Sequence, residues 1–410
     1  MKILMIDKFY FIMGGAERYY FELSDILESH DHQVIPFSMN HPDNFSTPYS
    51  KYFVDFIDYD HISFSKNPVQ GISAFMRMIY STQAQKRIQR LIDKEKPDIA
   101  HIHMIDHQLS PSILDTLKKN GIPIIQTVHQ YKLVCPNYRL YNMRTKNICE
   151  KCLGGNYFHP LIERCHKNSF IASFMISMET SIHKFFRLYE KNIDLFHVPS
   201  SFMGAKLIQA GIDKNKVDHL FYTIDIEKFK PHYECKDYFV YYGRLALEKG
   251  IMTLLKSMHR ISSSKLVIVG DGPQKQELKE YVESQNLKNV IFAGLKYKGE
   301  LTKIISNAKF VVVPSEWYDN SPLVIYESFA MGKPVIGSNI GGIPELIKDK
   351  NCGLIFDPGN SDMLAEKINC MLASDKLILD YGKKARKRAE NNFGPDVHYQ
   401  KMMEKYNHIL

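Results

Sequence analysis

Short apolar runs, each leading through a loop into an amphipathic stretch, succeed one another in two series along this sequence. In the first series Lys2–Ile6, Gln33–Phe37, Ile99–His103, Ile122–Val128 and Leu195–Pro199 read as strands, with Gly14-Gly15 opening an amphipathic helix over Glu17–Ser29. After a connector through Val217–Pro231 the order restarts at Tyr238–Tyr242, Lys265–Val269, Val290–Ala293, Phe310–Val313 and Pro334–Gly337. Strands alternating with helices build parallel sheets covered on both faces, so the chain is α/β with two doubly wound domains. The first is expected over residues 1–225 and the second over 226–392. A final helix within 393–410 carries Tyr399, Met402, Met403, Tyr406 and Leu410 at helical spacing and is expected to return to the first domain. Open parallel sheets bind ligands at the carboxyl ends of their strands. Gly14-Gly15, Arg244 and Gly341-Gly342 all follow such ends and are expected to line one cleft.

A chain of 410 residues can bury two cores, and no apolar run approaches the roughly 18 residues a membrane span needs. A strand begins at Lys2, which leaves no room for a secretory signal and predicts a cytoplasmic protein. Residues 1–64 hold 4 basic and 10 acidic side chains, whereas residues 65–191 hold 19 and 9. The positive charge is thus gathered in one stretch, suited to phosphates or an anionic membrane surface or else to a solvated lysine-rich face. Basic residues without interleaved aromatic platforms give no reason to expect a nucleic-acid partner.

Four side chains carry the chemistry. Arg244 and Lys249, five apart on the loop after Tyr238–Tyr242, suit a diphosphate. Asp319 and Glu327, eight apart, suit the hydroxyls of a sugar and a ribose, with Ser321 read as a helix N-cap and Pro322 as the first helical residue. A helix starting there offers free amides to an anion. Gly270-Asp271-Gly272-Pro273 lacks the third glycine of a dinucleotide fingerprint, which disfavours a nicotinamide cofactor. Among His101, His103, His107 and His129, the last follows a strand end and is assigned to the cleft, while His101 and His103 read as core. Cys135, Cys149, Cys152 and Cys165, spaced C-x13-C-x2-C-x12-C, fit a closed structural zinc site, with His159 or His166 able to replace one cysteine. Redox use and unpaired buried thiols remain the alternatives. Phe170, Phe174, Met178, Ile182 and Phe185 recur at helical spacing, with Lys184, Arg187 and Lys191 towards one end. Such a helix could lie on an anionic membrane, wall an acceptor groove or pack onto its own domain.

Taken together these segments resemble the retaining glycosyltransferases of family 4, whose GT-B fold sets two Rossmann-like domains face to face. The resemblance rests on Gly-Gly-Ala-Glu-Arg at 14–18, Asp-Ile-Ala-His-Ile-His at 98–103, Val-His-Gln-Tyr-Lys-Leu-Val-Cys-Pro at 128–136, Gly-Arg-Leu-Ala-Leu-Glu-Lys-Gly at 243–250, Gly-Asp-Gly-Pro at 270–273 and the segment from Asp319 through Glu327 to Ile336. It implies that Gly243, Arg244 and Lys249 hold the donor diphosphate and that Glu327 holds the ribose. Asp319, Ser321, Leu323 and Val324 would hold the sugar, Gly14 and Gly15 would face the diphosphate, and His129 would stand by sugar and acceptor. It further implies a UDP- or GDP-sugar donor, a glycan or lipid-linked acceptor in surface polysaccharide synthesis and chemistry without a metal, while the basic stretch adds the expectation of peripheral contact with the inner membrane face. Two positions depart from the pattern: Asp319 stands where a glutamate is usual, and Tyr222-Thr223 stands in place of an Asn-Gly turn. The cysteine-bearing insert, residues 130–192, resembles that of a subset of bacterial members. A GT-B epimerase or phosphorylase, and a non-catalytic zinc-stabilised sugar-nucleotide binder, are the rival readings.

Overall fold

The computed structural model of the 410-residue chain describes residues 1–59 and 68–410. Residues 65–67, the start of the basic stretch, lie outside the described residues. The chain divides into two compact units, Met1–Leu220 with Tyr399–Leu410, and Phe221–His398. The expected boundaries at 225/226 and 392/393 therefore shift. The cause is local: the Ile224 amide and the Thr223 hydroxyl both donate to the Phe393 carbonyl, at 2.8 Å and 3.2 Å, which ties the connector and residue 393 to the second unit.

The first unit contains β1 (Lys2–Ile6), β2 (Gln33–Phe37), β3 (Ile99–Ile102), β4 (Ile124–Thr127), a small hairpin of β5 (Tyr141–Asn142) and β6 (Asn147–Ile148), then β7 (Leu195–Val198) and β8 (Val217–His219). Its parallel sheet runs β2-β1-β3-β4-β7-β8. Ile3, Leu4, Met5 and Ile6 are fully buried, as a strand covered by helices on both faces requires. The helix Gly15–Ser29 supplies part of that cover through Tyr19, Tyr20, Leu23 and Leu27. Strand β8 falls inside the stretch read as connector. It escaped the reading because Val-Asp-His is short and partly exposed at the sheet edge.

The second unit contains β9 (Tyr238–Tyr242), β10 (Lys265–Val269), β11 (Val290–Gly294), β12 (Val311–Val313), β13 (Val335–Ser338) and β14 (Gly353–Phe356), in the parallel order β11-β10-β9-β12-β13-β14. Phe239, Leu266, Ile268, Phe310, Ile336 and Phe356 are central to its core. Strand β14 is a second edge strand absent from the sequence reading. It opens on Gly353, where a Cβ would lie 1.8 Å from the Val335 carbonyl oxygen.

The helix Pro395–Ile409 returns the chain to the first unit. Tyr406 is fully buried with its hydroxyl 2.6 Å from His101 Nδ1, Tyr399 stacks on His30 and meets His32 Nε2 at 2.9 Å, and Lys405 pairs with Asp218. No described helix is long and apolar enough to cross a membrane.

Candidate functional site

In the second unit the loop after β9 is shaped by backbone packing. Gly243 N donates to the Val269 carbonyl (3.0 Å), Leu245 N to that of Asp271 (2.8 Å), and Gln274 N to that of Leu245 (3.0 Å). Contact this close requires glycine. A Cβ on Gly270 would stand 1.9 Å from the Gly243 oxygen, and one on Gly272 would stand 2.4 Å from that of Leu245. Gly-Asp-Gly-Pro is thus a backbone platform under the Arg244 loop. The Arg244 side chain is exposed, and its guanidinium has no hydrogen bond or ion pair among the described residues.

Lys249 ends a short 3₁₀ turn, Leu247–Lys249, and is followed by Gly250 at φ +67°, where a Cβ would meet the Pro314 oxygen at 1.9 Å. The Glu316 amide donates to the Glu248 carbonyl at 2.9 Å, so the turn is held against the loop after β12. Lys249 Nζ reaches Asp319 Oδ2 at 2.6 Å, and the Ser315 hydroxyl donates to the same oxygen at 3.0 Å. The ammonium also lies 5.4 Å from the Trp317 ring centre. The Asp319 carbonyl accepts from Gly342 N (2.8 Å) beneath Gly341, whose φ of +61° and close approach to that oxygen exclude a side chain.

The helix that follows is Leu323–Ala330. Pro322, in extended conformation, is its N-cap, which corrects the assignment of Ser321 as cap and Pro322 as first helical residue. Ser321 cannot cap, because its hydroxyl is engaged with the Tyr326 hydroxyl at 2.6 Å. Asp319 and Glu327 therefore do not share a helix: Asp319 lies in the loop, while Glu327 is buried within the helix. The amides of Leu323 and Val324, in the first turn, lack intrahelical acceptors and form the positive end of the helix dipole. Beside them Tyr242 donates to the Val324 carbonyl at 2.7 Å.

In the first unit Gly14 and Gly15 are exposed at the start of the helix Gly15–Ser29, and the Gly14 amide donates to Glu17 Oε2 at 2.9 Å. Burial raises the Glu17 carboxyl above its usual range and, with Glu17 nearby, raises that of Asp7 further. His129, past the end of β4, stacks on His103 with Nε2 2.9 Å from His103 Nδ1. Burial pushes His129 down to about 3 and His103 well below the ordinary imidazole value, so both are neutral at pH 7. They share a cavity with Asp106, Gln130, Lys132 and Tyr189.

That cavity exposes what the sequence reading missed. Lys8 pairs with Asp106 at 2.6 Å, and Gln130 Nε2 donates to the other Asp106 oxygen at 3.0 Å. Lys132 pairs with Glu179 at 2.6 Å, with His107 at 3.4 Å from the same oxygen. Burial alone would raise the Glu179 carboxyl; Lys132 and His107 outweigh it and hold the group well below the carboxylate range. The one available signal was Glu179 itself, the lone acid of the helix Phe170–Phe185, on the side away from its aromatic stripe. That helix does pack onto its own unit, but with the face opposite to most of the aromatic stripe. Phe170, Phe174, Met178 and Phe185 are exposed, whereas Ser173, Ser177, Glu179, Thr180 and His183 are buried.

Cys135, Cys149, Cys152 and Cys165 line one cavity with Asn137 and His159, and none forms a disulfide. Burial, and then the neighbouring thiols, push the Cys165 thiol up to about 12. The four-sulfur donor set suits zinc, although no three described Cys, His, Asp or Glu side chains already stand in metal-ligating positions.

Residues 13–228 match the family model described as Glycosyltransferase Family 4, and residues 223–388 match that of Glycosyl transferases group 1. The chain is similar to a sulfoquinovosyl transferase of Arabidopsis thaliana, 27% identical over 50% of this chain but only 42% of that protein's length. It is also similar to the N-acetyl-alpha-D-glucosaminyl L-malate synthase of Bacillus anthracis, 21% identical over 82% of this chain and 81% of that protein. Among solved structures, Anabaena HepE in complex with UDP is 16% identical with a TM-score of 0.67, covering 99% of this chain and 100% of that one. The fold is GT-B.

Proposed function

We propose, from the premise that this chain belongs to family 4 of the glycosyltransferases, that it moves a sugar from a nucleotide-sugar donor to a glycan or lipid-linked acceptor in the making of a surface polysaccharide. The observation that carries this is the loop constellation of the second unit. Lys249 is fixed against Asp319 at 2.6 Å, Arg244 stands exposed on a glycine-built platform, and a helix N-terminus follows directly. Cations carried on loops held in place by packing oppose charge on a departing diphosphate with little reorganisation, commonly the largest catalytic contribution.

In this reading Gly243, Arg244 and Lys249 bind the diphosphate, Glu327 takes the ribose, and Asp319, Ser321 and the amides of Leu323 and Val324 take the sugar. Gly14 and Gly15 face the phosphate, Gly15 offering its amide while that of Gly14 is held by Glu17, and His129 serves sugar and acceptor as a neutral hydrogen-bonding group. The bond from the anomeric carbon to the phosphate oxygen breaks, the acceptor oxygen bonds to that carbon from the same side, and the acceptor proton passes to the departing phosphate. Configuration is retained, the group moved is a hexose, and no metal ion is needed. HepE structures with UDP and with UDP-glucose favour a uridine over a guanosine donor. The protein would work in the cytoplasm, with structural zinc held by Cys135, Cys149, Cys152 and Cys165.

A thermal-shift panel of UDP- and GDP-sugars tests the donor. A ligand at a hundred times its dissociation constant stabilises by about 2.7 kcal/mol, and free nucleotide should then accumulate chiefly when acceptor is added. A panel with no shift contradicts the reading.

A further inference from the structure

Eleven of the 24 exposed large apolar side chains among the described residues fall on three neighbouring helices of the first unit and the residues that flank them. The helix Phe170–Phe185 packs against both Pro68–Ile79 and His159–Glu163. Exposure is high on all three: Val69 76% and Ile72 59% on the first, Phe158 73% and Ile162 71% on and beside the short one, Phe174 44% and Phe185 81% on the third. Single exposed apolar residues need no explanation, but their concentration on one helix and the two that pack against it does.

The helix Phe170–Phe185 is the decisive case, because it is inverted relative to an ordinary surface helix. Ser173, Ser177, Thr180, Glu179 and His183 face inward, where Glu179 is paired with Lys132 and lies against His107, and its phenylalanines face outward. Charge selects the partner. The three helices carry only two carboxylates, Glu179, which is buried, and Glu163, which is paired with Lys151. Arg164, Lys167 and Arg187 are exposed at the flanks of the patch. Apolar helix surfaces flanked by cations and, on the three helices themselves, free of exposed unpaired acids match an anionic lipid surface, in which aromatic side chains enter the acyl boundary while arginines meet headgroup phosphates.

We propose that these three helices form a docking surface for an anionic bilayer, placing the first unit on the membrane face. The proposal deepens the reading of a lipid-linked acceptor, and its test is independent of catalysis. Full-length protein is co-sedimented, without donor or acceptor, with vesicles of phosphatidylcholine alone or with about a third phosphatidylglycerol, at low and high salt. Binding to the anionic vesicles should weaken with salt, and Arg164→Gln/Arg187→Gln should lower it by about 25-fold. Phe174→Ser/Phe185→Ser should abolish it while leaving the melting temperature unchanged, since both rings are exposed. Equal binding of wild type to both vesicle types, no binding to either, or retention by the phenylalanine variant overturns the proposal. So does a concentration-dependent dimer abolished by the same two serines, which would make the patch an interface between copies.

Discussion

Gly270→Ala is the substitution whose outcome follows most directly from geometry. The added methyl would stand 1.9 Å from the Gly243 carbonyl oxygen, whereas Cβ atoms essentially never approach another heavy atom within 3.0 Å, so the two loops must part by about 1 Å. Because both neighbours are backbone, no side chain can swing aside. Gly270 also has φ +145°, and forcing alanine into it costs about 1–3 kcal/mol, or about 2–12 °C in melting temperature for a unit of this size. The displaced carbonyl belongs to the residue before Arg244, and a misplacement of about 1 Å commonly costs about a hundredfold in rate. The assay is kcat/KM for the nucleotide sugar giving the largest thermal shift, alongside the melting temperature. Gly359→Ala is the control, since Gly359 has φ +76° but no atom within 4 Å of the added carbon. It should lower the melting temperature without lowering kcat/KM. Wild-type kcat/KM in Gly270→Ala, or an equal loss in the control, would refute the platform role.

Burial holds His129 at about 3 and His166 at about 4, below the usual 6.5, so unfolding at acidic pH takes up protons that the folded state refuses. Their contribution is fully present above pH 6.5 and is lost as pH falls towards 3–4, each group adding up to about 1.4 kcal/mol per pH unit. Urea midpoints between pH 7.5 and 5 should show His129→Gln losing about one proton's worth of that slope, and an unchanged slope would contradict it. Elemental analysis of purified protein should find one zinc per chain, lost in Cys149→Ser with a lower melting temperature. Metal-free wild type would leave the four cysteines as unligated thiols, two of them, Cys135 and Cys152, buried.

Interior strands were legible because burial on both faces makes them continuous apolar runs: β1, β9 and β10 have the bounds their runs suggest, as does β2 at the sheet edge, where Ile35, Pro36 and Phe37 are buried. Edge strands β8 and β14 were not, since partial exposure admits Asp218 and His219 in one and a leading glycine in the other. The Ser321 cap failed on a partner five residues ahead, the Tyr326 hydroxyl, which no capping pattern anticipates. Periodicity revealed the apolar stripe of Phe170–Phe185 but not its direction. Direction depends on Lys132 and His107, distant in sequence, which offset the burial of Glu179. For the same reason Lys8 and Asp106, separated by 98 positions, could not be paired by reading along the chain. The glycines of the Arg244 platform were visible as a motif, and their use became clear only from the carbonyls they approach.

The central claim, that Arg244 and Lys249 oppose charge on a departing diphosphate, is tested most directly by single-turnover transfer in Arg244→Ala and Lys249→Ala at saturating donor. The account predicts a fall of about a hundredfold or more in each, with melting temperature nearly unchanged for the exposed arginine. Transfer at the wild-type rate in either variant would contradict it.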